Sequence, residues 1–379
     1  MDFELTREQQ MARGLFEAFA EKEVRPLAQE IDEEERFPAE TVEKMKHYGF
    51  MGIPISREYG GQGCDVLTYI LCVEELAKVC GTTGVIVAAH TSLACDPIEK
   101  YGTEEQKKKY LVPLASGKAV GAFGLTEPNA GTDASGQQTK AVLEGDHYVL
   151  NGTKIFITSG GKSDIYIIFA MTDKSKGNRG ISAFIVERNS PGFSIGKKEL
   201  KMGIRGSDTS ELVFQNCIVP KENLLGEEGK GFGIAMGTLD GGRISIAAQA
   251  LGIAQGALNE TVKYVKERKQ FGSPLSKFQN TQFVIADMHT KVEAARLLVY
   301  KAARAKESGK RFSVDSAAAK LFASETAMEV TTKCVQLHGG YGYMRDYPVE
   351  RMMRDAKITE IYEGTSEVQR MVISAAVIR

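Results

Sequence analysis

The sequence predicts an α+β protein with three domains. It divides into an N-terminal helical domain, a middle β-barrel or β-sandwich domain and a C-terminal helical bundle, over residues 1–119, 120–225 and 226–379. Apolar residues recur with a helical period of about 3.6 in the first and last segments, whereas the middle segment holds short β-branched runs. In addition, only Gly272 and Gly309 fall between residues 257 and 338, and so few glycines favour long helices.

Two capping boxes in the N-terminal segment predict where helices begin. They are Thr6 with Gln9 and Thr103 with Gln106. In this motif each side chain satisfies a backbone N–H group that the first helical turn leaves unpaired. The first box precedes Met11, Leu15 and Phe19, which we expect to share one face of the helix.

The middle segment is expected to form strands. Tyr148–Leu150 and Lys154–Thr158 flank Asn151-Gly152, a dipeptide that accepts the positive φ angles of a tight turn. We therefore predict a hairpin at this dipeptide. Three further runs have the length and composition of strands: Asp164–Met171, Ile181–Val186 and Leu212–Val219.

Two long apolar faces are predicted in the C-terminal segment. The first comprises Leu251, Ala254, Leu258, Val262 and Val265. The second comprises Phe283, Ala286, Val292, Leu297 and Tyr300. Helices of this length and apolar character favour packing as a bundle.

The composition argues against partners that depend on net charge or long apolar segments. The 48 basic side chains balance 49 acidic ones, and the net charge of −1 provides no general attraction to nucleic acid. The longest uncharged apolar stretch, Gly81–Cys95, is shorter than the ~20 residues that a membrane span requires. The six cysteines include no Cys-x-x-Cys pair, so we expect reduced thiols in the cytoplasm.

Several common cofactor motifs are missing from the sequence. No Gly-x-Gly-x-x-Gly follows a predicted strand, and no phosphate-binding P-loop occurs. The five histidines lack the spacing of zinc ligands, so we expect no metal site. A Gly-x-Ser-x-Gly elbow is also missing, although a hydrolase with a scattered triad stays open as an alternative.

Polar, glycine-bearing segments are the candidates for a functional site. They are Phe123–Asp133, Lys154–Gly161, Arg268–Phe278 and Gln336–Tyr343, the last followed by Ile361–Glu367. On pattern alone each has a plain structural alternative. These alternatives are an ordinary hairpin turn, a surface strand with Phe156 packed inward, a linker with a solvated Arg268, and an exposed loop with Glu363 in water.

The residue types in these segments also have a functional interpretation. The forked donors of Arg268 suit a pyrophosphate. The glycines after Gln336 would each cost about 1 kcal/mol in a helix, and they favour a loop that approaches a ligand. Glu363 lies between Tyr362 and Gly364, where partly apolar surroundings would raise its pKa and suit it to act as a base.

Five of these motifs together resemble those of the acyl-CoA dehydrogenase family, and most closely its bacterial short-chain branch. In order, they read LTEPNAGTD, NGTKIFIT, ERKQFG, QLHGGYGY and MRDAKITEIYEGTSEVQR. The resemblance spans essentially the whole chain. It implies the three-domain fold predicted above, a non-covalently bound FAD and a homotetramer in which a neighbouring subunit holds part of each FAD.

The resemblance also implies roles for individual residues toward FAD. Phe123, Leu125, Thr126 and Thr132 would line the flavin and the adjacent substrate path. Phe156, Ile157 and Thr158 would flank the isoalloxazine ring, while Thr365 and Glu367 would also face the cofactor. Arg268, Phe271 and Gln279 would contact the adenosine and pyrophosphate across a dimer interface, and Gln336, Gly339 and Gly340 would approach the same portion.

The implied reaction is the α,β-dehydrogenation of a saturated short-chain acyl-CoA to the trans-2-enoyl-CoA. Glu363 would be the base, and its own N–H and a ribityl hydroxyl of the flavin would hold the thioester oxygen. Thr132, Asp240, Arg243 and Gly364 would contact the substrate. In some branches the base occupies the position of Gly242, where this chain has no carboxylate.

Electron-transferring flavoprotein is the implied electron acceptor. A dehydrogenase for branched short-chain acyl-CoA and an acyl-CoA oxidase stay open as alternatives within the flavin class. A flavoprotein or helical scaffold without redox chemistry is the alternative from another class. His338 has no role that the resemblance implies, and we interpret it as a spacer.

Overall fold

The computed structural model describes residues 4–378, and it begins with a layer of helices. These helices are α1 (Arg7–Phe19), α2 (Ala28–Glu33), α3 (Ala39–His47), α4 (Val66–Val79), α5 (Gly81–Ala89), α6 (Asp96–Tyr101), α7 (Glu104–Gln106) and α8 (Val112–Ala115). Both predicted capping boxes are confirmed. The predicted face of α1 is only partly buried, since Met11 and Leu15 are exposed. The buried stripe instead runs through Phe16 and Phe19, which pack their rings on Phe50.

The middle segment forms one mixed sheet of eight strands. These are β1 (Gly121–Gly124), β2 (Lys140–Glu144), β3 (His147–Thr158), β4 (Ile165–Met171), β5 (Ile181–Glu187), β6 (Phe193–Lys198), β7 (Thr209–Pro220) and β8 (Leu224–Leu225). The order is β6-β7-β3-β2-β4-β5-β8, and β1 pairs with β4. The predicted hairpin at Asn151-Gly152 is wrong, because both residues lie inside β3. The turn between β2 and β3 lies at Gly145, whose φ is +65°. Position 152 requires glycine for a different reason, because a Cβ atom there would overlap Thr139.

The central strands β4 and β5 are buried on both faces. In β4, Tyr166 and Ile168 face the core between the strands, while Ile167 and Phe169 face the helices on the other side. This two-sided burial explains why Asp164–Met171 is apolar almost without interruption. The sheet is therefore fixed between its own core and the helical layers.

The C-terminal segment is helical again. It contains α9 (Gly231–Glu267), β9 (Lys269–Gln270), β10 (Ser273–Pro274), α10 (Gln279–Glu307), α11 (Ser313–His338), α12 (Val349–Ile358) and α13 (Ser366–Val377). The predicted α+β class, with helical outer domains around a central sheet, is confirmed. Among the helices between residues 4 and 378, none combines the length and apolar character that a membrane crossing needs.

The first and last helical segments share one hydrophobic core. Helix α9 packs against both α11 and α4, and the cluster includes Ile70 and Val73 together with Leu251 and Leu258. The second predicted face is only partly buried, since Phe283 and Leu297 of α10 are exposed. Because α9 lies between the two helical layers, every residue on it has a fixed position relative to both.

Candidate active site

The middle domain brings two of the predicted segments together at the end of β3. The carbonyl of Thr126 accepts a hydrogen bond from the N–H of Ile155 at 2.9 Å, so the two segments lie side by side. Leu125 and Ile157 are buried, whereas the Phe156 ring is 60% exposed. Of the remaining predicted residues here, Phe123, Thr126 and Thr158 are half-buried, and Thr132 is exposed. An aromatic ring and two threonine hydroxyls therefore line this edge of the sheet.

A buried ion pair fixes this arrangement. The ammonium of Lys154 donates to Oε1 of Glu127 at 2.7 Å and to the carbonyl of Leu125 at 3.0 Å. Burial lowers the pKa of Lys154 to about 8. The sequence pattern carries no signal for this pair, because the two residues are far apart along the chain. Glu127 therefore has two roles, since its backbone closes a tight turn with Ala130 while its carboxylate anchors the Thr126 segment to β3.

A loop from the middle domain connects the end of β3 to the C-terminal helices. Asp208 accepts from the N–H of Ser159 through its carbonyl and from the N–H of Gly161 through Oδ1, both at 2.6 Å. A few residues earlier, the N–H of Ile204 donates to Oδ1 of Asp355 on α12 at 2.5 Å. The predicted flavin-facing strand is therefore tied to the helix that precedes Glu363.

Glu363 lies in a strained turn between α12 and α13. Its φ is +52°, and Gly364 follows with a φ of +90°. A positive φ at a non-glycine residue persists only where its surroundings hold it in place. Here the carbonyl of Gly364 accepts hydrogen bonds from the ammonium of Lys320 at 2.6 Å and from the amide of Gln369 at 2.8 Å.

The carboxylate of Glu363 occupies a space that a glycine leaves for it. A Cβ built on Gly242 of α9 would overlap Oε2 of Glu363. Within residues 4–378 this oxygen is buried and has no hydrogen-bond partner. Burial raises the pKa of Glu363 to about 7, although the charges of Lys320 and Arg243 act in the opposite sense. The position that carries the base in other branches and the Glu363 carboxylate thus share one location.

The backbone of Glu363 offers a free donor beside this carboxylate. Among the described residues, its N–H group donates to no acceptor. An N–H held by a rigid turn can stabilise an oxygen that gains negative charge, because it needs no reorientation. The geometry thus places one base and one oxyanion donor on a single residue.

Arg243 lies on α9 close to Glu363. It is 6% exposed, and its guanidinium donates to Oδ1 of Asp240 at 2.6 Å. The second oxygen of Asp240 accepts from the hydroxyl of Ser313 at 2.5 Å. Asp240 and Arg243 therefore form a partly buried pair, whose role toward the substrate stays a prediction.

The predicted nucleotide-binding residues form a separate cluster. Arg268 stacks over the ring of Tyr341, 5.3 Å from its centroid. A surface depression of about 480 Å³ is lined by Tyr264, Arg268, Gln270, Leu275, Gln336, Leu337, His338, Gly339, Gly340, Tyr341 and Met344. A Cβ on Gly339 or Gly340 would point into open space. The structure thus brings Arg268, Gln336 and both glycines together.

Four other predicted cofactor contacts lie outside this lining. Phe271, at the tip of the β9–β10 hairpin, is 97% exposed, and Gln279 is the first residue of α10. Thr365 has a structural explanation, because its hydroxyl accepts from the N–H of Val368 and caps α13. Glu367 is exposed on the first turn of the same helix.

His338 anchors the depression and is not a spacer. Its ring is buried and stacks on Tyr264, with 4.1 Å between the ring centroids. Nδ1 donates to the carbonyl of Cys334 at 2.8 Å. Burial lowers the pKa of His338, so the neutral ring is favoured in this position.

Comparison with known proteins identifies the family. Residues 6–118, 122–217 and 229–378 match, in that order, the N-terminal, middle and C-terminal domains of acyl-CoA dehydrogenases. The chain belongs to the acyl-CoA dehydrogenase family. It is an FAD-dependent enzyme that dehydrogenates acyl-CoA.

Relatives within the family match over the full chain. The short-chain specific acyl-CoA dehydrogenase of Clostridium acetobutylicum is 67% identical over 379 residues, and both chains are covered completely. Butyryl-CoA dehydrogenase from Megasphaera elsdenii has a TM-score of 0.99 and 58% identity, with 100% of each chain covered. A chain solved in work on the electron transferring flavoprotein of Acidaminococcus fermentans has a TM-score of 0.99 and 60% identity, again covering 100% of each chain.

The residues present fit the FAD that this family binds. The exposed ring of Phe156 beside two threonine hydroxyls suits a flat, polar-edged ring system. The guanidinium of Arg268 and the open space above Gly339 and Gly340 suit a pyrophosphate and its sugar. One cluster therefore suits the flavin end of an FAD, and the other suits the adenosine and pyrophosphate end.

We expect Gly242→Ala to lower kcat by roughly 10²-fold, because the new methyl group displaces the carboxylate of Glu363. Gly233→Ala on the same helix is the control, since its Cβ would meet open space. Steady-state kinetics of both variants, with FAD content confirmed by absorbance, make the comparison. Equal activity of the two variants would show that Glu363 can act from another position.

Proposed function

We propose that this enzyme dehydrogenates saturated short-chain acyl-CoA thioesters to trans-2-enoyl-CoA, with Glu363 as the base. The observation that carries the proposal is the buried, unpartnered Oε2 of Glu363, which is held against Gly242 by a strained turn. Within the part of the chain that the structure describes, no hydrogen bond competes for this oxygen, so it is available as a base for the weakly acidic α-proton of a thioester. A pKa of about 7 lets Glu363 accept that proton near neutral pH.

The chain contributes the proton transfer and the orientation of the thioester. Glu363 removes the α-proton, while its backbone N–H donates to the thioester oxygen as negative charge grows there. Bound FAD supplies the acceptor for the hydride that leaves the β-carbon. Gly364 lacks a side chain, so the thioester can approach the backbone at this turn. Removing the base is expected to lower the rate about 10²–10⁴-fold.

The preference for short chains is supported by the full-length similarity to the enzymes from Clostridium acetobutylicum and Megasphaera elsdenii. The similarity to the chain from the Acidaminococcus fermentans work supports electron-transferring flavoprotein as the acceptor. Each of the six cysteines is a free thiol, five of them buried, and this supports a reducing compartment such as the cytoplasm.

A second copy of the chain completes the FAD site in the proposed homotetramer. Gly242, beside the base, and Glu267, beside Arg268, are 25 positions apart on α9. This separation is roughly 38 Å along a helix, which exceeds the reach of one extended FAD. In one chain, the site around Glu363 and the cluster around Arg268 would therefore serve different FAD molecules. Helix α10 also exposes Phe283 and Leu297, which fall on one face of the helix and suit contact with another copy.

The enzyme activity is tested by adding butyryl-CoA to the purified yellow protein without oxygen. We expect the 450 nm absorbance to bleach, because the flavin takes up the electrons of the substrate. Rates with straight C4 to C12 and branched C4 to C5 substrates should be greatest for straight C4. Preference for a branched substrate would overturn the straight-chain proposal, and release of free CoA without an acceptor would favour the hydrolase. Rapid turnover with oxygen alone would favour the oxidase.

We expect Glu363→Gln to retain FAD but to lose at least ~10²-fold in turnover, because glutamine cannot accept the proton. The substitution keeps the size of the side chain, so a loss of packing does not contribute. Glu360→Gln, three residues earlier and paired with Lys357, serves as the control for loss of a nearby charge. Near-normal turnover of Glu363→Gln would remove this residue from the mechanism.

We expect Arg268→Ala to lower the FAD content after gel filtration, because a charge-assisted contact with the pyrophosphate is lost. Lys269→Ala, at the next and equally exposed position, is the control and should retain FAD. Light scattering on the wild-type protein should give the mass of four chains. Unchanged FAD content in Arg268→Ala contradicts its role, and a monomer that retains FAD contradicts the shared site.

A further inference from the structure

Lys320 is a fully buried lysine on α11, beneath the turn that carries Glu363. Its ammonium donates to the carbonyl of Gly364 at 2.6 Å, and this is its only hydrogen bond among the described residues. We propose that Lys320 is a positioning residue for the base, which holds the Glu363–Gly364 turn by this bond and favours the ionised carboxylate by its charge. The inference rests on the proposed role of Glu363.

The mechanical part of this role follows from the backbone of the turn. Glu363 and Gly364 are two consecutive residues with positive φ, and a glutamate rarely adopts this conformation. The Gly364 carbonyl is fixed by two donors from two helices, Lys320 on α11 and Gln369 on α13. The carbonyl of Glu363 accepts a further bond from the same Gln369 amide at 3.3 Å, so the turn is fastened to the bundle by its backbone carbonyls, and the carboxylate direction depends on them.

The electrostatic part follows from the charges around Glu363. Its charged neighbours are Lys320 on α11 and Arg243 on α9, and both lower the pKa of Glu363. Tyr69 on α4 and Tyr362 on the turn face it as neutral phenols, because burial raises both of their pKa values. Of the two cations Lys320 has the larger influence on Glu363.

The charge of Lys320 has its own set of neighbours. Burial lowers the pKa of Lys320 to about 8, and Arg243 acts in the same direction. Glu363, Glu360 and Glu367 oppose that change, and Glu363 has the largest effect of the three. A methionine of similar length would fill the same space without the cost of burying an ammonium group. The balance of charge therefore points to the base as the reason for a lysine here.

The test compares three variants of the holoenzyme by the pH dependence of kcat/KM with butyryl-CoA. Because the base must be ionised, kcat/KM rises with pH up to the pKa of Glu363. Lys320→Met removes the cation, so the pKa rises and this limb moves to higher pH by roughly one unit. At pH values below the pKa of Glu363, kcat/KM of the variant is then about tenfold lower than that of the wild type.

The other two variants separate the charge from the hydrogen bond. Gln369→Leu removes the neutral donor to Gly364, so kcat falls while the limb stays in place. Lys333→Met removes a half-exposed cation on the same helix, which is paired with Glu329, and changes neither quantity. Lys320→Gln replaces Lys320→Met if the latter does not retain FAD, because it keeps a polar donor without the charge.

An unshifted limb in a folded Lys320 variant overturns the electrostatic part, and an unchanged limiting kcat at high pH in Lys320→Met, which has lost the bond to Gly364, overturns the mechanical part. Either result leaves bleaching of the wild-type flavin by butyryl-CoA intact. By contrast, failure of that bleaching, or full activity of Glu363→Gln, overturns the proposed function itself. The two failures are thus distinguishable in the same set of measurements.

Discussion

The active site depends on the contact between Gly242 and Glu363. Only a hydrogen atom at position 242 leaves room for the carboxylate, and only a left-handed turn at Glu363 directs the carboxylate there. Close packing between α9 and this turn removes water from Oε2, and the loss of hydration raises the pKa of the carboxyl group. A single steric constraint therefore sets both the location and the basicity of the proposed base.

Charged groups surround this contact among the helices of the protein. Lys320 and the Asp240–Arg243 pair lie among the helices of the shared core. Buried ions stabilise a fold poorly, since their desolvation offsets much of the attraction between them. Their position around a single carboxylate is therefore better explained by the chemistry of Glu363 than by stability.

The middle domain also contains a buried ion pair, which there holds two segments together. The buried pair of Lys154 and Glu127 joins β3 to the Thr126 segment, so that the proposed flavin contacts sit on a rigid edge. Asp208 then ties the end of that strand to the loop that reaches α12. Through these links, the surface for the flavin and the turn for the base keep a fixed relation despite belonging to different domains.

The sequence by itself determined the order of helical and β segments, both capping boxes and the residue types around Glu363. These features depend on local periodicity and on contacts within a few residues. The sequence predicted a hairpin in the wrong place, because Asn151-Gly152 has the composition of a turn. In the structure, Gly152 lies within β3, where it allows the backbone to pass close to Thr139.

Only the tertiary structure decided which distant residues meet. Gly242 contacts Glu363, and Lys320 bonds to Gly364, although each pair is far apart in the chain. The Arg268 cluster likewise brings Arg268 together with the distant Gln336. No local pattern encodes such contacts, because they arise when helices pack and expel water, and that packing is what gives a glutamate the properties of a base.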